Sequence, residues 1–333
     1  MLHCGRLRKS SRFMGLVRLK WNKAKSKIHH FMKTSYSVAS VIAAIALQSA
    51  SAAILIHETF DYSTGAIGGQ AANATGLSGN WAAGGTLSSG SNATFNIAAS
   101  SLNFTGHFAA EGGSLLMSNG GGNYGEGAAT ATVGATLTGS SALFSSSIMT
   151  LNISGSYFND WVIEQRFNSV ADGNFNTTSG RNLVSSFGSG SSSNRKGGVS
   201  SNNSEVTQAT GTLSAGTKYL LVTSYVVSGS DITNATMHAF NESAYASYLA
   251  NTSVETAAAD LGTYALFSLS DTDTASLANF DFLQFSILGG PTGQVDDFRV
   301  GTQITDVVNV IPEPSAAVLG LLGALGILRR RRP

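Results

Sequence analysis

The side chains with which this chain could do chemistry are few, and the acidic ones come first. Asp271 and Asp273 form an acidic pair two residues apart in a stretch rich in Ser, Thr and Asp. Carboxylate and carbonyl oxygens are the ligands that Ca²⁺ prefers. The pair is therefore a candidate calcium site, with a solvated turn as the alternative. Asp296 and Asp297 are further candidate ligands, although Asp297 has a simpler partner in Arg299, two residues along.

Catalysis by paired carboxylates is the second chemistry to weigh. A retaining glycosidase places two carboxyl groups about 5–5.5 Å apart. Glu164 has Arg166 rather than an acid two residues along, and Asp271/Asp273 lie in turn sequence. The chain has no Gly-x-Ser-x-Gly nucleophile elbow, and its one cysteine is Cys4. We therefore predict a protein that is not an enzyme. The alternative is a divergent glycan hydrolase or lyase that uses Glu164 or Asp271/Asp273.

Histidines and glycines give no cofactor site. His57, His107 and His238 have no ligand partners at metal-binding spacing, which predicts structural or surface histidines. Gly120-x-Gly122-x-x-Gly125 matches the dinucleotide fingerprint, but neither a helix pattern nor the required acidic residue follows it. We predict no cofactor besides the candidate Ca²⁺.

Sugar binding needs exposed aromatic rings and polar side chains that read hydroxyl groups. Trp81, Tyr124, Tyr157 and Trp161 are candidate platforms by residue type, and membership of the core is the alternative for each. The chain also carries nine Asn-x-Ser/Thr acceptor sequences, which suit a decorated surface protein. They begin at Asn73, Asn92, Asn103, Asn152, Asn176, Asn202, Asn234, Asn241 and Asn251.

The elements that must position these residues are strands. Five stretches alternate apolar and polar residues between turn-forming clusters: 161–167, 218–227, 264–269, 280–287 and 295–300. In the stretch 280–287 the alternation is broken by two adjacent apolar residues, Phe282 and Leu283, which predicts a bulge or a strand buried on both faces. The only helix candidate is Ser243 to Leu249. Many short strands without a βαβ rhythm predict a single all-β domain, a sandwich or a barrel.

The N-terminal residues have the pattern of a secretory signal peptide over 32–52. Lys33 precedes the apolar stretch 38–47, and Ala50 and Ala52 form an A-x-A cleavage site. Residues 1–31 are basic and contain no acid. They are interpreted as sequence upstream of the true initiator Met32, with an extended cytoplasmic n-region as the alternative.

The C-terminal residues have the pattern of a targeting signal. Pro312-Glu313-Pro314 is followed by an apolar or small run over 315–328 and then by arginines. Fourteen helical residues span about 21 Å, less than the roughly 30 Å hydrocarbon core, so we expect the arginines at the cytoplasmic headgroups. A short permanent membrane anchor is the alternative. The residues of this motif are Pro312, Glu313, Pro314, Arg329, Arg330, Arg331 and Arg332.

The sequence between these two ends is strongly acidic. Residues 53–310 contain six basic and eighteen acidic residues, a net charge of −12. Such a surface repels nucleic acid and favours solubility. We therefore predict no nucleic-acid partner.

The tail resembles the PEP-CTERM sorting signal of Gram-negative bacteria. The resemblance implies recognition at the inner membrane by an exosortase, a transpeptidase-like protease, and removal of the tail by a cut at or near Pro312-Glu313-Pro314. Over 54–302, the opening residues 58–62, Trp81, the strand at 219–222 and the closing residues 296–301 look like passengers with a concanavalin A-like (LamG-like) jelly roll. That architecture implies adjacent first and last strands, with Phe60 near Phe298.

Together these patterns predict an exported β-sandwich passenger over 53–302, a spacer over 303–311 and a sorting tail. Its expected partners are the secretion machinery, the exosortase and, transiently, the inner membrane. Its expected location is the cell surface or the extracellular polysaccharide matrix, with a structural or adhesive role and glycan binding.

Overall fold

The computed structural model describes residues 53–84, 93–119, 126–137, 139–152, 163–169, 181–189, 196–200, 206–207, 213–288 and 292–310. The description that follows concerns these residues alone. They form a sandwich of two antiparallel β-sheets with two helices packed on one outer face. Residues 1–52 and 311–333 lie outside this range, and with them the predicted cleavage site at Ala50 and Ala52 and the sorting motif.

The larger sheet has ten strands in the order β14-β13-β12-β7-β17-β5-β4-β2, with β1 added to β17 and β15 to β13. Its strands are β1 (Ile54–Glu58), β2 (Gly65–Ala66), β4 (Ala93–Ala98), β5 (Ser114–Asn119), β7 (Ala142–Asn152), β12 (Lys218–Ser228), β13 (Asp231–Phe240), β14 (Phe267–Asp271), β15 (Ala275–Ser276) and β17 (Thr292–Gly301).

The smaller sheet has seven strands in the order β11-β10-β9-β8-β16-β6-β3. Its strands are β3 (Leu77–Gly84), β6 (Glu126–Val133), β8 (Ile163–Asn168), β9 (Arg181–Ser189), β10 (Lys196–Ser200), β11 (Val206–Thr207) and β16 (Phe282–Leu288). All five stretches predicted as strands overlap observed ones, and the predicted sandwich is confirmed.

The main core fills the space between the sheets and includes Phe285. The ring centroid of Phe285 lies 5.5 Å from that of Phe60 and 5.7 Å from that of Phe298, so both rings pack against it. Strands β1 and β17 pair antiparallel, with Glu58 opposite Phe298. The expectation that the first and last strands are adjacent is therefore met.

A second core lies on the outer face of the ten-stranded sheet. Because β7 and β12 are apolar on both faces, their outward side chains need a cover, and α1 (Glu242–Asn251) and α2 (Ala257–Tyr264) provide it. The Asn241 side chain caps α1 by accepting the Ala244 N–H at 2.8 Å. The helix expected over 243–249 is observed, but the expectation that it is the only helix is wrong. Helix α2 buries only Ala257 and Leu261, too few for a clear periodic signal.

The break in the apolar–polar alternation of β16 reflects a strand that is buried on both faces, not a bulge. Its register with β6 and with β8 runs without a shift. Leu283 and Phe285 enter the core, while Gln284 and Ser286 are buried on the opposite face.

Residues 304–310, which the sequence predicts as spacer, pack against the second core. Ile304 and Val310 are buried, and Val307 and Val308 are fully inaccessible. The packed domain therefore reaches Val310. Within the described ranges, no helix has the length and apolar character needed to cross a membrane. The predicted membrane segment 315–328 lies outside these ranges.

Candidate functional site

The acidic residues expected to do chemistry lie on different sheets. Asp271 ends β14 in the ten-stranded sheet, and its Oδ1 accepts the backbone N–H of Asp273 at 3.1 Å. Glu164 lies on β8 in the other sheet, fully buried, with one carboxylate oxygen 3.6 Å from Nη1 of Arg166.

The calcium site at Asp271 and Asp273 stays a prediction. In the part of the chain that the structure describes, no group of three or more His, Cys, Asp or Glu residues is placed to hold a metal ion. Asp271 is also largely buried, and its carboxylate is engaged in a local turn. A cation there would depend mainly on backbone carbonyl oxygens for its ligands.

Of the four aromatic candidates for sugar binding, only Trp81 is described, and it is a core residue. Its side chain is 1 % exposed, with its ring centroid 6.3 Å from Phe60 and 6.1 Å from Phe285. It therefore cannot serve as an exposed platform, and core membership is the correct alternative. Tyr124, Tyr157 and Trp161 lie outside the described residues.

A polar pocket of about 250 Å³ opens beside the end of β1. Glu58 and Tyr62 lie at its base, and the exposed residues Asp61, Asn73 and Glu111 stand at its rim. The pocket is lined by His57, Glu58, Thr59, Asp61, Tyr62, Asn73, Ala74, Thr75 and Glu111. Carboxyl, hydroxyl, amide and imidazole groups thus converge on one cavity.

Glu58 is the buried acid of this pocket. Its Oε1 accepts the backbone N–H of Phe60 at 2.5 Å, and its Oε2 accepts the Tyr62 hydroxyl at 2.6 Å. The Tyr62 oxygen in turn accepts the indole N–H of Trp81 at 3.1 Å. Burial raises the pKa of Glu58 to about 7, although the hydrogen bonds from Tyr62 and Phe60 oppose the shift. Burial and the neighbouring carboxylate also raise the pKa of Tyr62.

The loop after β1 is strained where it carries these groups. Phe60 has φ 53°, a left-handed conformation that is unusual for a bulky residue. The bond from its N–H to Glu58 holds that conformation in place. Gly112 packs against the same loop, because a Cβ there would lie 2.4 Å from the Thr59 carbonyl oxygen. The position of Glu58 is therefore fixed from two sides.

Beside the pocket, Asp297 draws two histidines and an arginine together. His57 Nε2 lies 2.9 Å from Oδ1, His107 Nε2 lies 3.2 Å from Oδ2, and Arg299 Nε donates to Oδ1 at 2.8 Å. Burial alone would raise the pKa of Asp297, but the two histidines and the charge of Arg299 outweigh it and hold that pKa well below its usual range. The predicted pairing of Asp297 with Arg299 is confirmed. The two histidine contacts are new, because His57 is 240 residues away in the sequence.

Asp296 fixes the loop that brings His107 to this cluster. Its Oδ2 accepts the Ser101 hydroxyl and, at 2.6 Å, the Leu102 N–H, while its Oδ1 accepts the Asp297 N–H at 2.7 Å. Burial raises the pKa of Asp296 to about 7. The register of β17 with β7 shifts between Asp296 and Arg299, and at this bulge the two adjacent acids have different partners. Asp296 binds the loop at Ser101 and Leu102, whereas Asp297 contacts His57 on β1 and His107 further along that loop.

No family model and no curated protein matches the sequence. Among solved structures, a carbohydrate esterase from the Shiga toxin-encoding bacteriophage phi24B has 11 % identity and a TM-score of 0.43, covering 75 % of this chain and 99 % of that one.

Two further solved structures are similarly remote. Peanut lectin in complex with a nine-residue peptide has 11 % identity and a TM-score of 0.38, covering 66 % of this chain and 96 % of that one. The endo-β-1,4-glucuronan lyase from the fungus Trichoderma reesei has 12 % identity and a TM-score of 0.38, with coverages of 65 % and 90 %. Likenesses this distant say nothing about activity.

Proposed function

We propose that this is an exported protein of the cell surface or extracellular matrix, with a jelly-roll β-sandwich that binds a glycan in the pocket beside Glu58. The observation that carries the binding proposal is the polar lining of that pocket. Glu58, Tyr62, Asn73 and Glu111 present hydrogen-bond donors and acceptors to one cavity of about 250 Å³. That size suits one sugar unit rather than a long oligomer, since drug-sized ligands occupy roughly 300–1,000 Å³.

The charge of the pocket narrows the class of sugar. Asp61 and Glu111 stand exposed at the rim, and Glu58 at the base is ionised in part near neutral pH, since burial raises its pKa to about 7. An anionic glycan would meet like charge there. A neutral sugar or a protonated amino sugar is the ligand that this pocket would accept.

Binding is tested by titrating purified protein with monosaccharides and amino sugars and following saturation-transfer NMR signals. The double variant Asn73→Ala/Glu111→Gln removes two rim groups without entering the core, and we expect it to weaken binding about tenfold, the effect of losing one or two hydrogen bonds. Ser247→Ala, on the exposed side of α1, is the matched control. Equal affinity in the double variant and the control would refute a ligand in this pocket.

Export and sorting are supported by the sequence of the two ends. The leader at 32–52, the Pro312-Glu313-Pro314 motif and the terminal arginines have the pattern of a secreted precursor with a removable tail. The implied partners are the secretion machinery, an exosortase-type protease and, after release, an exopolysaccharide. The inner membrane would hold the precursor only transiently.

Export and sorting are tested by measuring the intact mass and the termini of the protein recovered from cells and from the medium. A surface or medium form that begins near Ala53 and ends near Pro312 is expected. A chain found only in the inner membrane and still ending at Pro333 would refute sorting and would indicate that the tail is a permanent membrane anchor.

An enzyme is the second candidate, and one observation favours it. Glu58, with a pKa that burial raises to about 7, shares the pocket with Tyr62 and His57, and a group that titrates near neutrality suits general acid–base catalysis. Incubation with neutral and acidic polysaccharides tests it by the release of reducing ends. Release that Glu58→Gln abolishes would establish the enzyme, and the same release from both proteins would rule out Glu58 as its acid or base.

A further inference from the structure

The ten-stranded sheet has an uncovered outer area beyond its helices. Helices α1 and α2 cover Leu220, Val222 and Phe240, and two residues further along β12 the outward side chains are no longer buried. We call this area the hydroxyl face. It consists of Ser224 and Val226 on β12, Asn234 and Thr236 on β13, and Ser268 and Ser270 on β14.

The registers of these strands align the side chains in cross-strand rows. Ser224 lies opposite Thr236, and Thr236 lies opposite Ser270. Neighbouring strands are about 4.8 Å apart, and alternate residues along a strand are about 6.7 Å apart. The polar side chains therefore form a grid whose spacing the backbone sets.

Hydrogen bonds within the face hold the side chains in place. The Thr236 hydroxyl lies 2.9 Å from that of Ser270 and donates to Asn234 Oδ1 at 3.0 Å, leaving Ser270 to donate to Thr236. Ser224 donates to the Thr236 carbonyl oxygen at 3.4 Å. Each hydroxyl that donates in this way keeps acceptor capacity toward solvent. A ligand that binds there would meet groups whose orientation is already fixed.

The face is uncharged in an otherwise acidic domain. None of its six side chains is ionisable. His238 borders it, with Nδ1 2.8 Å from the Ser268 hydroxyl, and burial lowers the pKa of His238 to about 4, so it too is neutral at physiological pH. A partner matched to this face would carry many hydroxyl groups and no net charge.

Two apolar side chains frame the grid. Val226 is 52 % exposed at one end, and Leu266, just before β14, is 47 % exposed at the other. The C–H faces of sugar rings pack on such groups while their hydroxyls pair with polar ones. Leu266 to Ser270 spans about 13 Å and three strands span about 10 Å, which gives an area of about 130 Å². Each partner of a stable protein interface buries roughly 800 Å², so the face is too small for such a partner.

We infer that the hydroxyl face binds a neutral polysaccharide chain, as a contact surface separate from the pocket beside Glu58. It does not depend on that pocket, because β7 and β17 lie between β12 and β1 in the sheet order. A domain with two such surfaces would cross-link the polymer that surrounds it.

The test is native gel electrophoresis of the purified protein in gels that contain dextran, laminarin or the acidic polymer alginate. We expect the neutral glucans to retard the wild-type protein and alginate to leave it unaffected. Ser268→Glu and Ser270→Glu each place a charge on the face and should weaken retardation about tenfold, since a charge without a partner loses hydration on binding. Ser247→Glu, which adds the same charge to α1, is the control.

The outcomes separate this surface from the pocket. Thr236→Val removes one hydroxyl with little change in shape, and an unfolding temperature close to that of the wild type verifies that it is folded. Retardation that persists in Asn73→Ala/Glu111→Gln but not in Ser270→Glu supports the face. Retardation that Ser268→Glu and Ser270→Glu leave unchanged, or no retardation of the wild type by either glucan, overturns it without affecting sugar binding in the pocket.

Discussion

Replacing Glu58 by Gln should change the pH dependence of stability in a defined direction. Burial raises the pKa of Glu58 from 4.5 to about 7, so the folded state holds a proton that the unfolded state releases. The stabilisation from this carboxyl group is present below pH 4.5, is lost as the pH rises to about 7, and stays lost above that. Glutamine does not titrate, so Glu58→Gln lacks this term at every pH.

The size of the effect follows from the same pKa. A rise from 4.5 to about 7 corresponds to about 3 kcal/mol, since each pKa unit is worth about 1.4 kcal/mol. The unfolding free energy of the wild type minus that of Glu58→Gln should therefore fall by about 3 kcal/mol between pH 4.5 and pH 8. Comparing the two proteins removes the contributions of Asp296, His107 and His238, which titrate in both.

Urea unfolding at several pH values, followed by tryptophan fluorescence, measures this difference. Trp81 lies one hydrogen bond from Tyr62 and so reports on the base of the pocket. A difference that does not change with pH would refute the reasoning, because it would mean that Glu58 has the same pKa in the folded and unfolded states. A difference that increases with pH would mean that the hydrogen bonds to the ionised form outweigh burial.

Three further substitutions test the packing of the site and of the second core. Asp297→Asn leaves two histidines and an arginine without their carboxylate, and should lower the unfolding free energy by about 3 kcal/mol, while Glu255→Gln on the surface should leave it nearly unchanged in urea titrations. Gly112→Ala, at φ +62° and 2.4 Å from a carbonyl oxygen, should lower the midpoint of thermal unfolding much more than Gly229→Ala, at φ +65° in open space; similar midpoints would contradict the proposed clash. Leu261→Ala, on the buried side of α2, should lower the unfolding free energy by about 2–4 kcal/mol in calorimetry, and a loss near zero would mean that α2 is not packed as described.

The strands could be predicted from the sequence because their signal is local. In β12, residues 218–227 alternate in the sequence itself, and the observed strand covers Lys218–Ser228. The boundary at β14 was less accurate, since Tyr264 belongs to α2 and the strand begins at Phe267. There a helix end and a strand start share one apolar run, and only tertiary packing separates them.

The candidate site could not be predicted because its residues are distant in the sequence. His57 and Asp297 meet only through the pairing of β1 with β17, and His107 arrives on a loop fixed by Asp296. The perturbed pKa of Glu58 depends on burial beneath Tyr62 and Trp81, which no spacing in the sequence reveals. A positive φ at Phe60 is likewise a tertiary effect.

The pairing of β1 with β17 also fixes when this domain can be completed during synthesis. His57 leaves the ribosome 240 residues before Asp297, about 12–50 s earlier at roughly 5–20 residues per second. Until β17 emerges, β1 lacks the strand with which it pairs, and the base of the pocket lacks that support. Because the first strand pairs with the last one, the sheet cannot be completed until nearly all of the domain has been synthesised. Until then the growing chain is still incompletely folded, which is the state that a translocation channel requires.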